Sequence, residues 1–285
     1  MSLHYGVDSC WETEFSPERL IADYSAPKGT SPNGTAPDDP TDALRKALKE
    51  PLNFPPVGLA VTPDDHVVIA AAPGIPALEE LMAAVAEMLA EAGVDLDRVT
   101  LLQSPEDSAE VAKGPQPVMH DATDDDHLAY LASTKSGQRV YLNRLITDAD
   151  LVAPIACLDK NEPLGWMGPH AALYPTFSNV ETQKRFRAAA TGIADATELR
   201  TETDEIGWLL GVQFSILVVP GSGGRPLDVI VGESAAAFEH AKDRFESAWT
   251  HAMPEKASLV IASVEGPDQS WSQVGRAAAT AAEVV

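Results

Sequence analysis

The feature that most restricts the fold is a strand–turn–helix–strand run between residues 66 and 102. Residues 66–72 read HVVIAAA, an unbroken apolar run of strand length, and a strand that is apolar on both faces is one covered from both sides. Pro73-Gly74-Ile75-Pro76 turns the chain, with Pro76 placed at the first helical position. Leu78, Leu81, Met82, Val85, Met88 and Leu89 then recur at i, i+3 and i+4, which lays one apolar stripe against a sheet. Gly93 is the expected stop, since glycine takes the left-handed conformation that ends helices. Residues 99–102 supply the next strand, parallel to the first, as a right-handed helical crossover requires.

The rest of the chain extends this unit. Apolar positions around Tyr5, Trp11 and Phe15 read as short strands, and residues 25–40 (SAPKGTSPNGTAPDDP) as an exposed loop too polar to bury itself. Residues 41–49 form a short helix capped by Thr41 or the two Asp before it. A short helix is expected over 106–112, and an acidic turn through His120, Asp121 and Asp124 to Asp126. Those aspartates are consecutive rather than spaced to converge on a metal, so a solvated loop is the reading. Residues 133–144 (STKSGQRVYLNR) make a hairpin turning at Ser136-Gly137.

Residues 151–157 are a second buried strand, and 181–194 a helix that is basic at Lys184, Arg185 and Arg187. Strands at 212–219 and 227–231 flank a Gly-rich turn as an antiparallel hairpin. Ser234 then caps a helix reaching about residue 250, residues 259–264 form a further strand and 271–283 a last helix. The elements divide into two α/β units with a boundary near residue 203, the two domains between which the resemblance described below implies a cleft. Residues 1–203 form a mostly parallel sheet flanked by helices, and residues 204–285 a partial second α/β domain.

Composition removes several function classes. Twenty basic residues against 43 acidic give a net charge of −23, which repels phosphate backbones and anionic lipid, so neither nucleic acid nor membrane is an expected partner. No apolar run approaches the roughly 18–20 residues of a membrane helix, and the first residues lack a basic start followed by an apolar stretch; the expected location is the cytoplasm. Two cysteines, Cys10 and Cys157, cannot build a disulfide framework or a thiolate zinc site. The glycines at 221, 223 and 224 lie in a hairpin turn without the lysine of a phosphate loop, and neither G-x-S-x-G nor H-E-x-x-H occurs.

Chemistry concentrates in residues 149–182, which begin as the buried strand and continue through a Gly/Pro-rich turn. Strand ends of this kind are where open α/β sheets place their sites. The residues there that can move protons or hold charge are Asp159, Lys160, Asn161, Glu162 and His170. Of these, His170 and Lys160 are the catalytic candidates, and Gly165, Trp166 and Gly168 the candidate cofactor cradle. A loop hydrogen bond for His170 and a solvated charge for Lys160 are the structural alternatives.

From His120-Asp121, through Thr134, Gly137, Val140 and Asn143-Arg144 to Ala149-Asp150-Leu151-Val152, the text resembles the N-terminal domain of the nickel-dependent lactate racemase family. Tyr5-Gly6, Pro175 and Glu181-Thr182 fit the same pattern, and so do Gly232, Ala237-Phe238, Pro254-Glu255 and Gly266-Pro267. The resemblance implies two α/β domains with the active site between them, and a second domain longer than the residues present here. It also implies a nickel pincer nucleotide attached through a lysine, with histidines serving the metal and the substrate α-carbon in a reversible hydride shift at a 2-hydroxy acid.

The family's functional residues do not carry over onto this chain. Counted without gaps from Ala149-Asp150, its P-H-Y-F-A-G-F-S-G-G-A-K stretch sets the histidine on Asn161 and the G-F-S-G-G on Gly165-Trp166-Met167-Gly168-Pro169. The attachment lysine falls on Ala171, with His170 beside it, and neither side chain forms the link. The D-H-T-R-P turn corresponds to Ala72-Pro73-Gly74-Ile75-Pro76, the G-T-H-R to the region 103–106, and an Asn-His pair to Phe186-Arg187. A glutamine and, three residues on, a lysine that hold the substrate carboxylate are matched by Gln273 and Arg276, the substrate-binding candidates, since arginine is an able carboxylate clamp.

Three readings stand side by side. One is a racemase or epimerase of a 2-hydroxy acid with a relocated or altered cofactor site. A second is a relative that binds a small carboxylate or a nucleotide without nickel. The third is a non-catalytic interaction protein on the retained fold. The loss of residues belonging to one reaction, with the fold residues kept, favours a chain without nickel-dependent activity, and no cofactor or metal ligand is expected.

Overall fold

The structure is a computed structural model that describes residues 2–6, 9–14, 16–24, 39–105, 114–115, 117–160, 165–166, 168–189, 196–264 and 271–285. The elements in chain order are β1 (Ser2–Tyr5), β2 (Ser9–Glu12), α1 (Pro40–Lys49), β3 (Val67–Ala71), α2 (Leu78–Glu91), β4 (Val99–Gln103), β5 (Pro117–Met119), β6 (Leu128–Ser133) and β7 (Arg139–Asn143). They continue with α3 (Arg144–Asp148), β8 (Leu151–Cys157), α4 (Pro169–Leu173), α5 (Val180–Ala189), α6 (Ala196–Leu209), β9 (Phe214–Pro220), β10 (Pro226–Glu233), α7 (Ser234–Trp249) and α8 (Trp271–Ala282).

Six strands form one sheet in the order β10-β9-β8-β3-β4-β5. All neighbours are parallel except β10, which pairs antiparallel with β9 through their short connection. β3 sits centrally, and its five residues are all buried, as a helix-covered parallel strand demands. One face of β3 (Val67, Ile69, Ala71) joins a core with Leu44 and Leu48 of α1 and Leu81, Met82 and Leu89 of α2. Its other face (Val68, Ala70) packs with Leu142 of β7, Leu173 and Tyr174 at the end of α4, Phe186 of α5 and Ile206 of α6. That second face continues toward β9 and β10 as a cluster holding Leu217, Ile230, Ala237 and Phe238, which seats α7.

The expected parallel pair at 66–72 and 99–102, the 14-residue helix between them and the left-handed stop at Gly93 (φ +87°) are all present. The hairpin around Ser136-Gly137 is present as β6 and β7. Asp39 caps α1, its carboxylate accepting from Thr41 N at 2.8 Å.

Several expectations are corrected. The helix after β3 begins at Leu78 rather than at Pro76, because Ala77 takes a left-handed conformation (φ +57°) that cannot join a right-handed helix. Ser234 is the first residue of α7 and not its cap; Glu233 caps the helix, accepting from Ala235 N and Ala236 N. Residues 259–264 are not a strand, and Leu259 is 71% exposed, without a neighbouring strand among the described residues. The boundary expected at 203 falls inside α6, and β9 joins β8 in register, so residues on both sides of 203 build one sheet. Residues 25–38 and 106–112 lie outside the described residues, as do Phe15, Asn161 and Glu162. Among the described residues no helix is long and apolar enough to cross a membrane.

Candidate functional site

From the carboxyl end of β8 the chain leaves the sheet, and it returns as α4 over the sheet face. Gly168 precedes α4 and Pro169 opens it, where the missing N–H costs no hydrogen bond. Gly168 is buried against the Phe238 ring: a Cβ there would stand 3.3 Å from two ring carbons. The next close approach is tighter. A Cβ on Gly207 of α6 would stand 2.3 Å from Cδ2 of His170, so the imidazole lies on bare helix backbone that only glycine leaves open.

Three helices, α4, α6 and α7, thereby enclose a cavity of about 260 Å³. α4 and the turn before it contribute Trp166, Gly168, Pro169 and His170; α6 contributes Arg200, Thr203 and Asp204; α7 contributes Ser234, Ala235, Phe238 and Glu239. Arg200 and Asp204 stand one turn apart, which brings both to one face of α6. Likewise Ala235 and Glu239 share a face of α7. The cavity is small for a ligand site, near the lower end of the roughly 300–1,000 Å³ usual for such clefts.

Its polar groups are only partly committed. His170 donates from Nδ1 to Asp204 Oδ1 at 3.1 Å, which leaves Nε2 as the ring's remaining polar atom. Arg200 Nε is 3.9 Å from Asp204 Oδ2, an ion pair without a close hydrogen bond, and its guanidinium lies 5.2 Å from the centroid of the Phe238 ring. Lys242 approaches the same ring at 5.7 Å and pairs with Glu239 at 3.1 Å. Thr203 is committed to the Leu199 carbonyl. The Ser234 hydroxyl is buried and has no hydrogen-bond partner among the described residues, although a buried hydroxyl ordinarily finds one.

The sequence candidates divide. His170, Trp166 and Gly168 come together on the cavity wall. Gly165 supplies the turn before them, with φ +82°. Lys160 is exposed beside the cavity rather than in it, its Nζ 5.6 Å from the centroid of the Trp166 ring. Gln273 and Arg276 fall on α8, with their side chains outside the described residues. Arg200, Asp204, Ser234, Phe238 and Glu239 were not legible as site residues. Their one sequence signal is an Arg and an Asp at i, i+4, which is common on any solvated helix.

A second charged cluster lies behind α4. Glu202 is buried and accepts two hydrogen bonds from Arg185, Nη1 at 2.7 Å and Nη2, and a third from the Tyr174 hydroxyl. Burial first, and then the adjacent Glu202 carboxylate, push the Tyr174 phenol far above its ordinary range. His120, buried under the β6–β7 hairpin, donates from Nε2 to the Ser178 carbonyl at 2.9 Å and accepts from Asn143 Nδ2 at 3.1 Å. Burial holds its pKa below the usual histidine value. The Glu202 carboxylate and the His120 ring have their bonding capacity met within these clusters, and in the first only the buried Arg185 Nε lacks a partner among the described residues.

An open cavity among helices thus lies on one face of a mostly parallel α/β sheet. The chain belongs to the lactate racemase N-terminal domain family, whose sequence model matches residues 19–192. The fold is similar to the lactate racemase apoprotein from Thermoanaerobacterium thermosaccharolyticum, at 15% identity and a TM-score of 0.65, over 87% of this chain and 62% of that one. It is also similar to a protein from Thermotoga maritima, at 14% identity and a TM-score of 0.56, over 73% of this chain and 58% of that one. The chain thus spans less than two thirds of either solved structure. No curated protein matches it.

The positions that the ungapped count from Ala149-Asp150 and the turn correspondences set against the family's nickel-pincer residues are taken up largely by apolar packing. At the position that the ungapped count gives the attachment lysine, Ala171 packs with Leu173 and Phe177 and also lines the cavity. At the Asn-His position, Phe186 is buried with its ring edge-on to Tyr174 at 5.4 Å. In the turn after β3, Ile75 is packed into the opposite core.

Proposed function

We propose that this chain is a divergent member of its family that binds a small carboxylate in the α4–α6–α7 cavity, without a covalently attached nickel nucleotide. The observation that carries the reading is Arg200, held on the Phe238 ring at the wall of a preformed cavity with only a loose partner in Asp204. A guanidinium in that state takes a carboxylate through two parallel N–H···O bonds. The ring beneath it fixes its plane, which reduces the ordering cost of binding.

The buried Ser234 hydroxyl stands beside this wall as a further donor, and His170 lines it with Nδ1 held by Asp204 and its ring resting on Gly207. Together these residues bind and orient a small acid. The apolar share of the wall, Trp166, Pro169, Ala235 and Phe238, accepts the ligand's carbon skeleton.

Titration calorimetry with lactate, propionate and longer 2-hydroxy acids tests the reading on the wild type and on R200A. Saturable binding that weakens at least tenfold in R200A supports it. Equal binding by both proteins, or no binding by either at millimolar ligand, overturns it. An intact mass carrying a nucleotide-sized adduct on the purified protein would instead establish that the cofactor attachment has moved.

A further inference from the structure

We infer that the ligand of this cavity is a zwitterion, a small acid bearing an α-ammonium group, rather than a 2-hydroxy acid. This rests on the reading of the cavity as a carboxylate site and narrows its ligand class. Arg200, Asp204 and Glu239 line the cavity, and Lys242, beside it on α7, pairs with Glu239, so cations and carboxylates of this set are equal in number. A hydroxy acid brings one net negative charge into this set and sets its carboxylate against Asp204 at close range. An amino acid brings both signs and leaves the balance intact. Asp204 and Glu239 are more than half exposed, so solvent screens this difference and it sets a preference between the two ligand classes rather than a barrier.

The spacing agrees with the charge. Arg200 Nε and Asp204 Oδ2 lie 3.9 Å apart, too far for a hydrogen bond between them. In an α-amino acid, ammonium and carboxylate are separated by a single carbon. Such a ligand meets both groups of one helix wall together, its carboxylate on Arg200 and its ammonium on Asp204. His170 keeps Asp204 in place by donating to its other oxygen, Oδ1 at 3.1 Å. The Phe238 ring, which also lines the cavity, adds an apolar wall.

The test uses three ligands on one carbon skeleton: leucine, 2-hydroxy-4-methylpentanoate and 4-methylpentanoate, titrated into the intact chain by calorimetry. Leucine is expected to bind at least tenfold tighter than the other two. The D204N variant is expected to weaken leucine at least tenfold and to strengthen 2-hydroxy-4-methylpentanoate, whose carboxylate no longer meets the Asp204 charge; opposite signs for the two ligands separate recognition of the ammonium from loss of fold. Circular dichroism and the urea midpoint of D204N confirm that the variant is folded. Should the hydroxy acid bind as tightly as leucine, or should D204N weaken all three ligands alike, the zwitterion assignment fails while the carboxylate site stands. Should none of the three bind, both fail. Repeating the set with alanine, lactate and propionate shows whether the preference for the ammonium holds on a smaller skeleton; a preference that vanishes there overturns the assignment as a property of the charged wall.

Discussion

Glu202 and Asp204 are two residues apart on one helix, and they show how the same ion-pair chemistry is used in opposite ways. Glu202 points into the protein, is 6% exposed, and is saturated by the Arg185 fork and the Tyr174 hydroxyl. Asp204 points into the cavity, is 57% exposed, and has one hydrogen bond from His170 and a distant arginine. A closed network has nothing left to offer a ligand, and its worth is in fixing α4, α5 and α6 against one another. An open one has unmet bonding capacity in a place a small molecule reaches. Charge alone does not separate structure from function on this helix; saturation does.

The sharpest way to break this contrast is to empty the closed network. Removing the guanidinium in R185A leaves Glu202 buried without its counter-charge. Breaking a fully buried pair costs about 3–5 kcal/mol; with Arg185 itself about a third exposed, a loss of about 2–3 kcal/mol is expected. Urea unfolding of R185A against the wild type reads it. A change below about 0.5 kcal/mol would mean that Glu202 is not the anchor of this face.

Next in size is Gly207→Ala, which acts where the cavity wall meets the helix backbone. The new methyl would stand 2.3 Å from the His170 ring, so the imidazole must swing away and release Asp204. Overpacking of this kind costs about 1–3 kcal/mol, partly offset by the better helix propensity of alanine, about 1 kcal/mol. Ligand affinity is expected to fall with it, whereas R185A should lower stability and leave affinity in the folded protein nearly unchanged. If G207A binds as the wild type does, His170 is not part of the cavity's working surface.

The third expectation concerns the other closed network. His120 is held neutral by burial, its pKa below the ordinary 6.5, while in the unfolded chain it protonates near that ordinary value. Below it the unfolded state binds more protons than the folded one, so stability is complete above pH 6.5 and declines as pH falls through the folded-state value. Urea midpoints taken from about pH 7.5 down to about pH 5 should show this slope, and H120Q should flatten it. Asp121 and Asp124, whose pKa values their hydrogen bonds from Thr123 and His127 hold below 3.8, act in a lower window and do not confuse the reading. An unchanged slope in H120Q would assign the acid sensitivity elsewhere.

These sites also mark what was legible in the sequence. The central sheet was, because 66–72 and 151–157 are apolar throughout and the stripe from Leu78 to Leu89 has helical period; burial on two faces writes itself into composition. The turn residues Gly93 and Gly137 were legible for the same local reason, their left-handed backbone. The cavity was legible on one side only. His170 and Gly168 stand out in a Gly/Pro-rich turn, but their partners come from α6 and α7, more than thirty residues away, on ordinary-looking helices. Nothing local tells Asp204, which meets His170, from Glu202, which meets Arg185. The direction of each is set by tertiary packing, of Gly207 under the imidazole and of Tyr174 over Glu202, which no spacing rule contains.

The smallest effect expected is the most discriminating one. Arg200 is 39% exposed and rests on Phe238 with a loose ion pair, so its removal gives up a weak surface pair and a cation–π contact. Together these are worth about 0.5–1 kcal/mol. R200A should therefore unfold almost as the wild type does while losing at least tenfold in ligand affinity, which is the reverse of the R185A pattern. Two arginines facing two carboxylates on one helix would then separate cleanly, one read in stability and the other in binding. If instead R200A unfolds at markedly lower urea, the guanidinium is a structural brace between α6 and α7, and the open pair on the cavity wall belongs with the closed one behind it.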